Sequence, residues 1–229
     1  MPGGIGRILR SSTLVAASTI LIAAAGIPEA NAAPILVPGY TTKQAPLALQ
    51  PQWQRLLSNS ALQPDKAHLL WQDLHNAASD KEPLRQLDIV NRYFNRIRYG
   101  ADSAIYGASD YWASPAEFIA SDFGDCEDYS IAKYTALRAF GWSADSLFIV
   151  VVRDLKYALN HAVLATKLEG QWHILDNRAS RVLALAEVPF YQPVYAVNEN
   201  QLSVFQRAWP IHESSVSDKR ERAATSNEG

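Results

Sequence analysis

The chain opens on an uncharged, largely apolar run from Ser11 to Ile27, and no later stretch is so continuous. Pro34, Pro38, Pro46 and Pro51 then break the pattern, which predicts an extended segment over residues 33–52 rather than a core element. Helical periodicity follows in three stretches. Trp53–Leu57 is short. Pro64–Ala78 begins with Pro at a tolerated early helical position and carries Leu69, Leu70 and Leu74 at helical spacing. Pro83–Tyr99 sets Leu87, Val90, Tyr93, Phe94 and Ile97 on one side. A loop from Ser109 leads into Ser114-Pro115-Ala116-Glu117, the cap, proline and acid of a capping box, so a brief helix precedes Gly124. From Cys126 to Phe140 the pattern is helical again, with Tyr129, Ala132, Ala136 and Phe140 near one face and Gly141 as the stop.

Beyond Gly141 the period changes. Ser146–Val152 is a continuous run rich in Val and Ile, as expected of a strand buried on both faces. His161–Leu168 and Gln171–Asp176 flank Glu169-Gly170, which reads as a two-residue hairpin turn. With Leu168 opposite Gln171, Val163 falls opposite Asp176, and His161, two residues from Val163, shares its face. Such a diagonal pair has backbones ~7–8 Å apart, a gap two side chains can bridge. The same register puts His173 opposite Thr166 on the other face, and a one-residue slip would exchange the two histidines. Helices first and strands after describe an α+β fold, N-terminal helices packed on an antiparallel sheet.

Composition and charge refine this picture. Arg7 and Arg10 precede the first apolar run and Ala30-Asn31-Ala32 follows it, so residues 1–32 read as a secretory signal peptide removed after about Ala32. The run is shorter than the ~20 apolar residues a spanning helix prefers. Residues 53–213 suit one domain with a sizeable core. Residues 214–229 are polar, charged and without periodicity, and read as a disordered tail. Loss of Arg7, Arg10 and Glu29 with the leader takes the formal charge from −2 to −3, and the remaining Lys and Arg are scattered, which argues against nucleic acid as a partner. The exported chain is not expected to span a membrane. Six Trp, ten Tyr and seven Phe supply bulky core material, with Tyr106, Tyr111 and Trp112 as readily cleft as core.

The chain holds one cysteine, so no internal disulfide forms, and it sits in Gly124-Asp125-Cys126-Glu127-Asp128 at the predicted helix start. Unpaired N–H groups and partial positive charge at a helix N-terminus favour a thiolate. A thiol nucleophile also needs a base and a group to orient that base, and the hairpin register supplies His161 and Asp176. The alternative is a buried, inert thiol. His173 is the weaker base, His68 and His75 read as ordinary helix residues, and His212 reads as a surface residue. The acids beside Cys126 oppose its ionisation. Asp125, Glu127 and Asp128 are hard oxygen ligands suited to Ca²⁺. They also simply complement the positive helix end, and the two readings stay open on the residues alone.

Three segments carry a family resemblance: Gly124 to Tyr134, Asn160-His161-Ala162-Val163-Leu164, and Trp172-His173-Ile174-Leu175-Asp176-Asn177. With Pro193 to Asn200 they resemble the bacterial transglutaminase-like cysteine proteases of the LapG type, over about Leu87 to Phe205. The resemblance implies a papain-like or transglutaminase-like fold in which Cys126 attacks, His161 moves the proton and Asp176 orients the ring. It further implies a periplasmic, calcium-dependent protease that cuts a large surface adhesin near its N-terminus at a di-alanine site, releasing it and dispersing biofilm. An inner-membrane cyclic di-GMP receptor that sequesters the protease is implied as a partner. A transglutaminase acting through the same residues, and a non-catalytic binding module on the same scaffold, are the rival readings.

Overall fold

The computed structural model describes residues 37–58 and 71–208, all within the unit Ala32–Gly229. The leader, the tail, His68, His212 and the first part of the predicted helix Pro64–Ala78 lie outside the described residues. The elements run β1 (Tyr40–Ala45), α1 (Pro51–Ser58), α2 (Gln72–Ala78), α3 (Pro83–Phe94), β2 (Arg98–Tyr99), α4 (Asp102–Ile105), α5 (Pro115–Ser121), β3 (Phe123–Gly124) and α6 (Cys126–Ala139). Then follow β4 (Leu147–Asp154), β5 (Leu159–Leu168), β6 (Gln171–Leu175), β7 (Leu183–Ala184), β8 (Tyr191–Val197) and β9 (Leu202–Arg207).

Seven strands form one sheet in the order β1-β9-β8-β4-β5-β6-β7, antiparallel at every pairing. Leu168 faces Gln171 and Thr166 faces His173, the register expected from the Glu169-Gly170 turn. The run rich in Val and Ile is β4, which lacks a polar face because Ile149 lies in one core and Phe148 and Val150 in another on the opposite face. Gln72–Ala78 is the described part of the second predicted helix. Two expectations change. The proline-rich lead-in is not merely extended, because Tyr40–Ala45 pairs with β9 and closes one edge of the sheet. The third helix stops at Phe94, and Arg98–Tyr99 instead forms a two-residue parallel bridge with Phe123–Gly124.

The helices pack on one face of the sheet through Trp53, Leu56, Leu74, Leu87, Phe94, Phe118, Ile131 and Leu137, all shielded from solvent. Helix α6 is buried on every side from Asp128 to Leu137, the polar Asp128, Ser130, Lys133 and Thr135 included, rather than along one apolar stripe. The Trp53 indole donates to the Asn198 carbonyl at 2.9 Å, tying α1 to the end of β8. The opposite face carries a second core of Phe148, Val150, Val163, Ala165, Trp172, Ile174 and Phe205. Tyr106 and Tyr111 pack against the helical core with ring centroids 4.5 Å apart, and Trp112 is buried within it. These three aromatics are therefore packing residues.

Gly124 sets the approach to α6. A Cβ there would lie 2.5 Å from the Phe118 ring and 2.6 Å from Asp128 Oδ2, both in buried residues. Gly124→Ala should lower stability by about 1–3 kcal/mol through overpacking, read as a lower urea midpoint at unchanged m-value. An unshifted midpoint would mean that the junction relaxes freely.

Candidate active site

The helix that carries Cys126 starts where the β2–β3 bridge ends, with Gly100 N–H donating to the Gly124 carbonyl at 3.0 Å. Asp125 occupies the cap position with extended backbone, and its N–H donates to Asp128 Oδ2 at 3.2 Å. Asp128 is completely buried. Its other oxygen accepts from Ala113 N–H at 2.7 Å, so this carboxylate locks the loop before α5 to the first turn of α6.

His161 and Asp176 meet as the register requires. Nε2 of the buried His161 lies 3.0 Å from Asp176 Oδ1, which leaves Nδ1, buried and without a hydrogen-bond partner among the described residues, as the ring's free nitrogen. Asp176 receives two further bonds, from the Tyr191 hydroxyl at 2.6 Å on Oδ2 and from Arg178 N–H at 2.9 Å on Oδ1. The Tyr191 ring also packs on His161 with centroids 5.7 Å apart. Burial raises the Asp176 pKa, but the His161 bond and charge, the hydroxyl and the amide outweigh it and hold the carboxyl at about 2.

The amide of Ala162, next to His161 on β5, favours the ionised form of the Cys126 thiol. Burial, the Glu127 charge and Asp125 act the other way and are stronger, so the thiol is pushed well above its usual range. Its S–H donates to Glu127 Oε2 at 2.9 Å. His173 pairs across from Thr166, on the face away from His161. His75 stacks against Phe140, 5.8 Å between ring centroids.

The acids form two overlapping groups. Asp125, Cys126 and Glu127 each offer one ligand atom within 4.8 Å of the others, and so do Asp102, Asp125 and Asp128. Burial and mutual repulsion raise the Asp125 carboxyl to about 9 and the Asp128 carboxyl to about 7, and also push Asp102 up. Asp102 Oδ1 and Asp125 Oδ1 are buried with no hydrogen-bond partner among the described residues. An orphaned buried carboxylate oxygen is costly unless a cation or donor meets it, so these residues fit a hard divalent ion.

Sequence patterns gave no sign of Tyr191 or Asp102 at the site, since each arrives from an element distant in the chain. Lys133 was also missed. It is fully buried, its Nζ has no hydrogen-bond partner among the described residues, and burial drops it to about 7 against the opposing pull of Asp176.

A family model for the bacterial transglutaminase-like cysteine proteinases matches residues 63–208. No curated protein matches. Among solved structures, Legionella pneumophila LapG is 38% identical with a TM-score of 0.54, the match covering 61% of this chain and 78% of that one. A calcium-bound LapG from the same organism is 34% identical, with 69% and 90% covered and a TM-score of 0.54. An EGTA-treated form is 38% identical, with 61% and 76% covered at the same TM-score.

Tyr191→Phe removes a bond to a buried carboxylate and should cost about 1.5–3 kcal/mol at neutral pH. Because the Asp176 pKa is depressed, its stabilisation is present above the usual 3.8 and is lost as pH falls toward about 2. The variant's deficit in urea unfolding should therefore shrink between pH 4 and 2, and a deficit independent of pH would assign the loss to packing alone.

Proposed function

We propose, on the premise that this chain belongs to the bacterial transglutaminase-like cysteine proteinases, that it is a calcium-dependent periplasmic endopeptidase built on Cys126, His161 and Asp176. Its substrate is the N-terminal region of a large surface adhesin, cut at a di-alanine site to release the adhesin and disperse biofilm. Its regulator is an inner-membrane cyclic di-GMP receptor that sequesters it. The chain is a cysteine protease of the LapG type; the substrate, regulator and compartment extend that likeness. The apolar leader and Ala30-Asn31-Ala32 support export. Among the described residues no helix is long and apolar enough to cross a membrane.

The observation that carries the catalytic reading is the buried His161–Asp176 pair at 3.0 Å with Nδ1 left free, next along β5 to the Ala162 amide that favours the Cys126 thiolate. In the reaction, the sulfur attacks the scissile carbonyl carbon after its proton passes to His161. His161 returns that proton to the departing amine, leaving a thioester, and then takes a proton from the water that hydrolyses it. Asp176 holds the ring by one nitrogen and stabilises the imidazolium, while Tyr191 and Arg178 N–H fix Asp176. N–H groups at the start of α6 offer donors for the developing oxyanion.

Calcium would be held by Asp102, Asp125 and Glu127, with Asp128 as a further oxygen source, and backbone or water completing the ~6–8 ligands it takes. Bound there, it supplies positive charge that offsets the carboxylates now opposing the thiolate. The calcium-bound state of a relative 34% identical supports this reading.

Cys126→Ala should abolish cleavage of an adhesin N-terminal fragment, on the order of a thousandfold or more, while keeping the wild-type thermal midpoint. Retained cleavage would end the assignment. EGTA should suppress turnover and added calcium restore it. Asp125 and Asp128, whose pKa values are raised, cost stability as pH rises from the usual 3.8 toward 7 and 9. Calcium should accordingly raise the melting temperature more at pH 8 than at pH 5, and an equal rise at both would remove these carboxylates from the ion site.

A further inference from the structure

Three of the eight large exposed hydrophobic side chains among the described residues lie on one turn. They are Leu155, Tyr157 and Leu159, at 52%, 57% and 38% exposure, where β4 turns into β5. The chain reaches His161 two residues later. Such a cluster on a tight turn costs solubility and needs a reason.

The turn is also held firmly. Asp154, fully buried, accepts from Lys156 N–H at 2.9 Å and Tyr157 N–H at 3.3 Å through Oδ1, and from Arg178 Nη1 at 3.0 Å through Oδ2. The Arg178 N–H bonds Asp176 Oδ1 at 2.9 Å, so one residue ties the turn to the partner of His161. Leu155 N–H donates to the Phe190 carbonyl at 3.0 Å, next to Tyr191. Above this frame, Lys156 Nζ lies 5.2 Å from the Tyr157 ring centre and the Arg178 guanidinium 5.5 Å from it. Lys156 forms no ion pair among the described residues. On the helical side, Tyr99 is 61% exposed and pairs in register with Gly124, two residues before Cys126.

We propose that the β4–β5 tip, formed by Leu155, Lys156, Tyr157 and Leu159, is a docking lip for the substrate polypeptide that takes an extended stretch with apolar and acidic side chains. This rests on the protease reading above. Tyr99 lies beside the strand that leads into Cys126, and the tip leads into the strand that carries His161, so a polypeptide drawn to these residues passes near both. The surroundings of the thiol are acidic and Arg178 is already paired with Asp154, so an acidic residue of the substrate finds its complement at Lys156. Apolar neighbours of that residue bury Leu155, Tyr157 and Leu159, and the aromatic ring supplies a rigid anchor.

The test uses the chain carrying Cys126→Ala, so that binding is read without turnover. The probe is a short fluorescein-labelled peptide of alternating leucine and glutamate, followed by anisotropy, with a leucine–lysine peptide as the contrast. The acidic peptide should bind and the basic one should not. Leu155→Ser with Tyr157→Ser should weaken binding about tenfold, and Lys156→Glu severalfold with loss of its salt dependence, at unchanged melting temperature. Equal affinity in all three proteins overturns the proposal. So does binding to phosphatidylglycerol vesicles that needs the tip while peptide binding does not, because the patch would then serve a membrane. Cleavage by wild type with a KM indifferent to the tip sinks the lip and keeps the protease. Tip-dependent binding with no cleavage of any polypeptide by wild type does the reverse.

Discussion

The turn between β5 and β6 fixes how those strands slide past one another, and the chemistry depends on that sliding. Glu169 and Gly170 have φ of +50° and +82°, both left-handed. Two consecutive positive φ values describe the tight hairpin turn whose twist matches that of its strands. Gly170 adopts this at little cost and Glu169 at a modest one. From Leu168 opposite Gln171 the ladder runs to Leu164 opposite Leu175, and its continuation brings His161 and Asp176 into one bond. A shift of one residue would turn Asp176 to the face opposite His161 and break the pair.

A second balance is electrostatic. The start of α6 attracts negative charge by ~0.3–1 kcal/mol for an exposed group and up to ~2 when partly buried. Opposing this are the carboxylates of Asp125 and Glu127, whose repulsion at a few ångströms is about 4 kcal/mol per pair at an effective dielectric near 20. The repulsion is the larger, and it adds to burial, the first cause of the raised thiol. The helix start alone therefore does not make Cys126 a thiolate. Positive charge near Asp102 and Asp125 alters that balance more than any rearrangement of dipoles would.

Legibility in the sequence followed the range of the interaction. The β5–β6 register rests on residues within one hairpin, and the start of α6 on a local cap, so both could be read. Helix α3 was read too long because Ile97 and Tyr99 continue its apolar side. The chain leaves the helix at Asn95, whose amide donates to the carbonyls of Asp176 and Ala179, each at 2.9 Å. Competition from a distant loop leaves no mark in helical spacing. The same holds for β1, since Thr41 pairs with Gln206 from the far end of the domain. Tyr191 enters from β8 and Asp102 from a four-residue helix, and neither sits in a segment whose pattern differs from ordinary packing.

Asp176 shows what these long-range contacts accomplish together. Its side chain receives β5 through His161, β8 through Tyr191 and its own loop through Arg178, while its carbonyl receives α3 through Asn95. Helical layer and sheet are thus both anchored on one residue. Lys133 adds a buried cation on α6 for which Asp176 is the opposing charge. Position is over-determined at this residue, whereas charge is not, because only the carboxylate can answer both a buried lysine and an imidazolium. The geometry of the pair can tolerate the loss of one neighbour, but its electrostatics cannot tolerate a neutral residue at 176.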